Sequence, residues 1–473
     1  MHTENSPLAK AMTAEFVNAL DIDPSFNELV SFIGEGSIPG YFAYTDFLAA
    51  SMAAVGVAIS QLMEASTGVR PAVRVSRDLN HWCMKLCQPV WPQGKIEDVA
   101  RIGAVYATAD GRWLRLTDAT PSLQQRILAV LGTPADTAAV AAEVKKHNAD
   151  DLEAAVLAGG GAASASRSMV EWAAHPAGQA LSKEPVVAVE KLGRTTSNWR
   201  PTPGRPLAGI RVLDFTRIVA GPMATRILAA YGAEVLRIDP PWYEDHGNRD
   251  QTIYTIGKRC ARLDLTQADG RERFLDLLAD ADMFVHGYRP GIFENLGLPP
   301  GVRDQAKPDI VEVIHNAYGW TGPWANRRGF DTIVTVSLGM LNESMKRAGL
   351  DFPDHDHPGL SQHSILDHCL GHIDAAAAIR GLTRRLVDGI GSRSRLSLAR
   401  GALILGKSQP QGGPIIGTAP TDGPFENRLV MSTRGPARQR VAPIEITGNP
   451  LFWDKGPELF GSSTPTLSLA RAH

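Results

Sequence analysis

The apolar positions of this chain follow two rhythms, one on either side of residue 200. On the N-terminal side, residues 44 to 67 form a long Ala-rich stretch with Gly68 behind it, which predicts a buried helix stopped by a glycine. The stretch from Val105 to Leu116 alternates around Asp110-Gly111, the signature of a hairpin. Helical periodicity returns over about 121 to 157, and Gly159-Gly160-Gly161 then reads as a plain loop. On the C-terminal side an apolar strand from Ile210 to Phe215, a helix from about Pro222 to Tyr231 and a strand from Glu234 to Ile238 make a βαβ opening. A helix from about Gly270 to Ala279 and strands at Met283 to His286 and Ile310 to Ile314 continue the alternation. The pattern predicts an α/β protein, with an open, doubly wound, Rossmann-like parallel sheet and a smaller α+β domain.

Residues 199–206, Trp-Arg-Pro-Thr-Pro-Gly-Arg-Pro, can continue neither helix nor strand, because their three prolines lack backbone donors. They divide an N-terminal region, 1–198, from a doubly wound domain, 207–408. Beyond residue 408 the density of Gly, Pro and Thr predicts an irregular tail, 409–473, with short strands that wraps over the domains. A weak internal echo links the two halves: Asp46 precedes Gly68 by the same spacing as Asp367 precedes Gly389, and the same alignment pairs Ala54 with Ala375, Arg74 with Arg395 and Ser76 with Ser397.

Composition narrows the function. With 48 Lys+Arg against 50 Asp+Glu, the chain has no broad basic field for nucleic acid or an anionic membrane surface. Its longest uncharged run, between Asp46 and Glu64, is shorter than the roughly 20 apolar residues of a bilayer span. Four cysteines in 473 residues cannot build a disulfide framework, and the start shows no secretory pattern, so a cytoplasmic location is expected.

Several motifs compete as candidate chemistry. Gly401 to Ser408 spells the phosphate-loop pattern G-x-x-x-x-G-K-S, but Gln409-Pro410 follows where a helix should begin, which argues against a phosphate loop. The loop after the first strand of the doubly wound domain, Thr216 to Pro222, lacks the G-x-G-x-x-G of a dinucleotide site. The crevice there could still hold another phosphate-bearing ligand, with Arg217, Lys258, Arg259 and Arg289 as candidate partners. Asp354-His-Asp-His357, with His363, Asp367, His368 and Cys369 nearby, offers the ligand types of a metal-dependent hydrolase without any recognised spacing. His81, Cys83 and Cys87 make a weaker case still, so no metal site is assigned. Asp367 reads either as the N-cap of a helix or as a carboxylate nucleophile at the positive end of a helix dipole.

The run from Pro206 to Pro222, then Gly232 to Pro240, Gly257-Lys-Arg259, Tyr288-Arg-Pro-Gly291, Tyr318 to Pro323 and Gly329-Phe-Asp331, resembles the class III CoA-transferases of the formyl-CoA and carnitine type. The resemblance implies an enzyme that moves coenzyme A from an acyl-CoA to a small carboxylic acid through an aspartyl anhydride and an enzyme thioester. It implies coenzyme A as substrate, no permanently bound cofactor, and a homodimer of the interlocked kind. Asp367 falls where the family has its catalytic Asp; by motif position coenzyme A lies near Arg217, Val219, Ala220, Lys258, Arg259 and Arg289, with Tyr318 beside the thioester. The N-terminal half resembles the family's later portion, so the chain reads as permuted or tandem-derived, and Asp46 is the second candidate nucleophile. The same resemblance leaves an α-methylacyl-CoA racemase and a non-catalytic CoA-binding paralogue as alternatives; the racemase reading is weakened by Phe330, which stands where a racemase has its acid/base His.

Overall fold

The computed structural model describes residues 6–36, 38–78, 87–89, 100–244, 252–351, 364–409, 424–432 and 435–467. The Asp354–His357 cluster with His363, and His81 with Cys83, lie outside these residues; Cys87 is described by its backbone alone.

Seven strands build the central sheet: β1 (Ala188–Arg194), β2 (Arg211–Phe215), β3 (Glu234–Asp239), β4 (Lys258–Arg262), β5 (Met283–His286), β6 (Val311–Asn316) and β7 (Ile390–Ser397). Their spatial order is β4-β3-β2-β5-β6-β7-β1, parallel throughout except for β1, which pairs antiparallel with β7. Counted from β2, the six parallel strands run 3-2-1-4-5-6, the doubly wound order of Rossmann domains. Strands β2, β5 and β6 are buried at every position, as a sheet covered on both faces requires. The order of winding reverses between β2 and β5, so a crevice opens beyond their carboxyl ends. The sheet does not begin at the proline-rich segment: β1 precedes that segment and closes the far edge. Its pattern was illegible because an edge strand, with most of its side chains in water, carries no apolar alternation.

Two 24-residue helices pack against each other beside the sheet: the Asp46 helix (Tyr44–Thr67) and the Asp367 helix (Ile365–Asp388). The Asp46 helix is long and apolar enough to cross a bilayer, yet 94% of its most apolar stretch is buried inside the fold. A helix apolar all round is a core helix when other elements surround it. Gly371 allows the Asp367 helix to approach the helix Ala220–Ala230: a Cβ there would stand 2.6 Å from the Met223 side chain.

The hairpin forms as expected, Val105–Ala107 against Trp113–Leu116 with Gly111 at φ 74°, and Ala163–Ala165 adds a third strand. Helices Pro121–Leu131, Thr137–Val144 and Ala149–Ala158 pack on this sheet around a separate core. The C-terminal segment returns across both halves. Ile444–Ile446 pairs with Val73–Ser76, and the Trp453 indole N–H donates to the Arg226 carbonyl at 2.8 Å. The G-x-x-x-x-G-K-S stretch lies in the helix Leu398–Gly406 and its C-cap Lys407, so its amides close helical turns instead of cradling a phosphate.

Candidate active site

A cleft of about 580 Å³ occupies the crevice at the switch point. The loop after β2 supplies Arg217, Val219 and Ala220 to its wall, the loop after β5 supplies Tyr288 and Arg289, and the end of β6 supplies His315. The opposite wall comes from the N-terminal half, where Thr120 caps the helix that carries Arg126. Asp367 lines this cleft and is 6% exposed.

The loop after β2 is under strain. Ile218 sits at φ 66°, a conformation that a β-branched side chain rarely adopts. Asp214, at the end of β2, helps to hold it: one carboxylate oxygen accepts from the Thr216 amide at 2.9 Å, the other from the Thr225 hydroxyl at 2.6 Å and from Lys258 Nζ at 2.9 Å. Lys258 also donates to the Pro222 carbonyl at 3.1 Å and is fully buried. This corrects the expectation for Lys258: its charge is consumed by Asp214 beneath the loop and does not reach the cleft. Arg259 is likewise directed elsewhere, donating to the Thr466 carbonyl at 2.6 Å and facing Glu234 at 3.7 Å on the flank covered by the C-terminal segment.

Arg217 and Arg289 do line the cleft, and Arg126 and Arg328, which the sequence reading missed, join them. The Arg217 guanidinium donates to the Tyr288 hydroxyl and lies over the Tyr243 ring. Arg126 and Arg328 both donate to the Gly160 carbonyl, which gives the Gly159-Gly160-Gly161 loop a place behind the site. Burial, then the charges of Arg289 and Arg126, pull the Arg328 guanidinium down to about 10. Several guanidinium groups with few carboxylates among them form a site for a polyanion.

Tyr318 does not line the cleft. It is buried, its hydroxyl 2.7 Å from the Ser337 hydroxyl, which in turn lies 2.7 Å from that of Ser164, and its ring meets Trp324 edge-on. Through Ser337 and Ser164 it joins the two halves of the molecule.

The candidate aspartates have opposite surroundings. Asp46 accepts from the Ser6 hydroxyl at 2.7 Å and from Arg77 at 3.1 Å, and does not line the cleft. Asp367 has another carboxylate for company. Asp331, first residue of the helix Asp331–Ser337, accepts from the amides of Leu366 at 2.7 Å and Asp367 at 3.2 Å. The cap of the Asp367 helix therefore comes from Asp331, 35 residues or more away in sequence, and Asp367 is not the cap that its position suggested. Burial pushes the Asp331 carboxyl up to about 7. Burial and the Asp331 charge hold Asp367 well above the usual carboxylate range. The signal for Asp331 was present in Gly329-Phe-Asp331, but nothing local shows that its carboxylate turns back onto a later helix.

A family model described as CoA-transferase family III matches residues 207–455, more than half of the chain, and the chain belongs to that family. It is 28% identical over 435 residues to an acetyl-coenzyme A transferase of Hypoxylon pulicicidum, covering 80% of this chain and 72% of that one. It is 32% identical over 200 residues to a probable fatty acyl-CoA transferase of Mycobacterium tuberculosis, covering 40% of this chain and 49% of that protein. A crystal structure of a hypothetical protein from Mycobacterium tuberculosis superposes with a TM-score of 0.37 at 31% identity, over 43% of this chain and 56% of that one. That structure is of the same Mycobacterium tuberculosis protein, and the chain spans about half of its length.

Proposed function

We propose that the chain is an acyl-CoA transferase in which Asp367 is the nucleophile. The observation that carries this reading is a raised, buried carboxyl on the wall of a guanidinium-lined cleft at the switch point of a doubly wound sheet. A carboxylate of high proton affinity is the stronger nucleophile once ionised, and burial leaves it poorly hydrated, which aids attack on a thioester carbonyl. Arg217, Arg289, Arg126 and Arg328 meet the phosphates of coenzyme A, and Val219 and Ala220 line its path.

The reaction then runs as two acyl exchanges. Asp367 attacks the acyl-CoA carbonyl, the C–S bond breaks, and an aspartyl anhydride and coenzyme A thiolate form. The thiolate attacks the Asp367 carbonyl and releases the donor acid, leaving an enzyme thioester. An acceptor carboxylate attacks that thioester to give a second anhydride, and the thiolate then takes the acceptor acyl group away and frees Asp367. The names of the relatives, acetyl-coenzyme A and fatty acyl-CoA transferases, support the acyl-CoA donor class.

The test is peptide mass spectrometry after incubation with acyl-CoAs and quenching with hydroxylamine, which converts an aspartyl anhydride or thioester to a hydroxamate. The hydroxamate is expected on the peptide carrying Asp367 and absent from Asp367→Asn. A hydroxamate on Asp46 would move the nucleophile, and none on either aspartate with a bound acyl-CoA would overturn the transferase reading.

A further inference from the structure

The weakness of the racemase alternative is that Phe330 offers no imidazole, yet the fold brings another one to the same cleft. His315, near the carboxyl end of β6, lines the cleft with Asp367 and is 9% exposed. Its Nδ1 lies 2.7 Å from a carboxylate oxygen of Asp374. Asp374 is fully buried and follows Asp367 by seven residues on one helix, two turns or about 10 Å further along the same face.

Asp374 is expensive where it stands. It opens the run Ala375 to Ala378 in the middle of a core helix, where an unpaired charge would cost several kcal/mol. Among the described residues the His315 imidazole is its one ion-pair partner. The other edge of the ring points at the floor of the crevice. A Cβ at Gly287, just after β5, would collide with His315 Nε2, and one at Gly221 would stand 2.8 Å from its Cε1. Two glycines therefore make room for the ring itself, between the start of the helix Ala220–Ala230 and the loop after β5. The other described histidines of the core do not share this arrangement: His286 is bonded to Glu312 at 3.2 Å, His372 to Ser51 at 2.9 Å, His368 is buried, and none of the three lines the cleft.

We infer that His315 is a second catalytic residue, the proton carrier for the sulfur of coenzyme A, and that Asp374 is its positioning residue. The inference rests on the acyl-enzyme reading above and adds a step to it. When Asp367 attacks the thioester, the electron pair of the C–S bond goes to sulfur, and a thiolate left against the buried Asp367 and His315 is poorly solvated. A His315 imidazolium, placed by Asp374 at its Nδ1 edge, gives its Nε2 proton to that sulfur and becomes a neutral imidazole. As the sulfur next attacks the Asp367 carbonyl, Nε2 takes the proton back. Each acyl exchange returns the proton it borrowed, so the net reaction consumes none.

The experiment varies the leaving group. Full-length wild type, His315→Gln and Asp374→Asn are mixed with an acyl-CoA and, separately, with the 4-nitrothiophenyl thioester of the same acid, whose thiolate leaves without a proton. The rate of hydroxylamine-trapped adduct on Asp367 is read by mass spectrometry. Expected is a loss of ~100-fold for H315Q with acyl-CoA, with the aryl thioester rate held within about threefold and D374N between the two. Equal losses with both thioesters, or no loss with acyl-CoA, would overturn the proton-carrier role. If circular dichroism shows H315Q unfolded, D374N decides by the same comparison. An adduct in wild type with unchanged variants leaves the transferase reading standing and removes only this inference; no adduct in wild type removes both.

Discussion

The Ser51 hydroxyl oxygen lies 2.9 Å from His372 Nδ1, and the two residues are 321 positions apart, the same offset that aligns Asp46 with Asp367 and Gly68 with Gly389. Equivalent positions of the two long helices therefore touch each other, which is the property of an isologous contact about a local twofold. The chain covers its Asp367 helix with its own second version of that helix. Ser51 donates to the Leu48 carbonyl at 2.8 Å, so His372 Nδ1–H is left to donate to Ser51; burial and Arg226 hold that imidazole down at about 3, neutral at ordinary pH. Ser51→Ala leaves a buried N–H without its acceptor and is expected to cost about 1–3 kcal/mol in urea unfolding. A cost near zero would mean that the contact does not fix the crossing.

The two aligned aspartates part company through their neighbours. Asp46 has a cation, Arg77, and a hydroxyl, Ser6; Asp367 has an anion, Asp331. Asp46→Asn is expected to destabilise by roughly 1–3 kcal/mol, because it strands a guanidinium that is largely out of water, while acyl transfer per folded molecule changes less than about twofold. Activity assayed beside a thermal melt checks both halves, and a loss of activity without a loss of stability would bring Asp46 into the chemistry.

Asp331 ties stability to pH in a direction unusual for a carboxyl. Its proton is held up to about pH 7 in the folded chain, whereas an unfolded Asp releases it near 3.8. Between those values the folded state binds more protons than the unfolded state, so stability is fully present below about pH 4 and is lost as pH rises to about 7. Asp331→Asn keeps a side-chain oxygen to accept the Leu366 amide but cannot ionise. It is expected to match wild type near pH 4 and to exceed it at pH 8 by on the order of 2–4 kcal/mol. Denaturant titrations at the two pH values measure this, and a variant that is weaker at both would show the charge to be stabilising.

The doubly wound domain was readable because β2, β3, β5 and β6 each carry adjacent apolar residues, Val212-Leu213, Val235-Leu236, Met283-Phe284-Val285 and Val313-Ile314, in alternation with helical stretches. Asp367 was readable through its place among family motifs. What escaped depends on residues far apart in sequence. β1 has a mostly wet face and no period; Lys258 looks like a free cation until β2 sets Asp214 beside it; Arg126 and Arg328 meet only when the N-terminal half docks. Asp331 stood out only as the end of the motif Gly329-Phe-Asp331, because the amides it accepts from, those of Leu366 and Asp367, belong to another helix.

Arg126 and Arg328 share the Gly160 carbonyl as acceptor, with Arg289 close enough to lower the proton affinity of Arg328. Converging like charges in a partly buried wall oppose folding in the empty protein and favour any polyanion that enters. Arg328→Gln removes one of the three charges and keeps an amide that can donate to Gly160. Two changes of opposite sign follow from the same removal. The melting temperature without ligand is expected to rise by about 1 °C, equivalent to about 1 kcal/mol for a chain of this length. The affinity for coenzyme A is expected to fall about tenfold, a charge-assisted hydrogen bond's worth, with a shallower dependence on salt because one fewer ion contact is screened. Calorimetric titration with coenzyme A at two salt concentrations, beside thermal melts of the empty protein, separates this from a general loss of structure, which would lower both quantities together. Unchanged affinity and salt dependence would place the phosphates of coenzyme A elsewhere in the cleft.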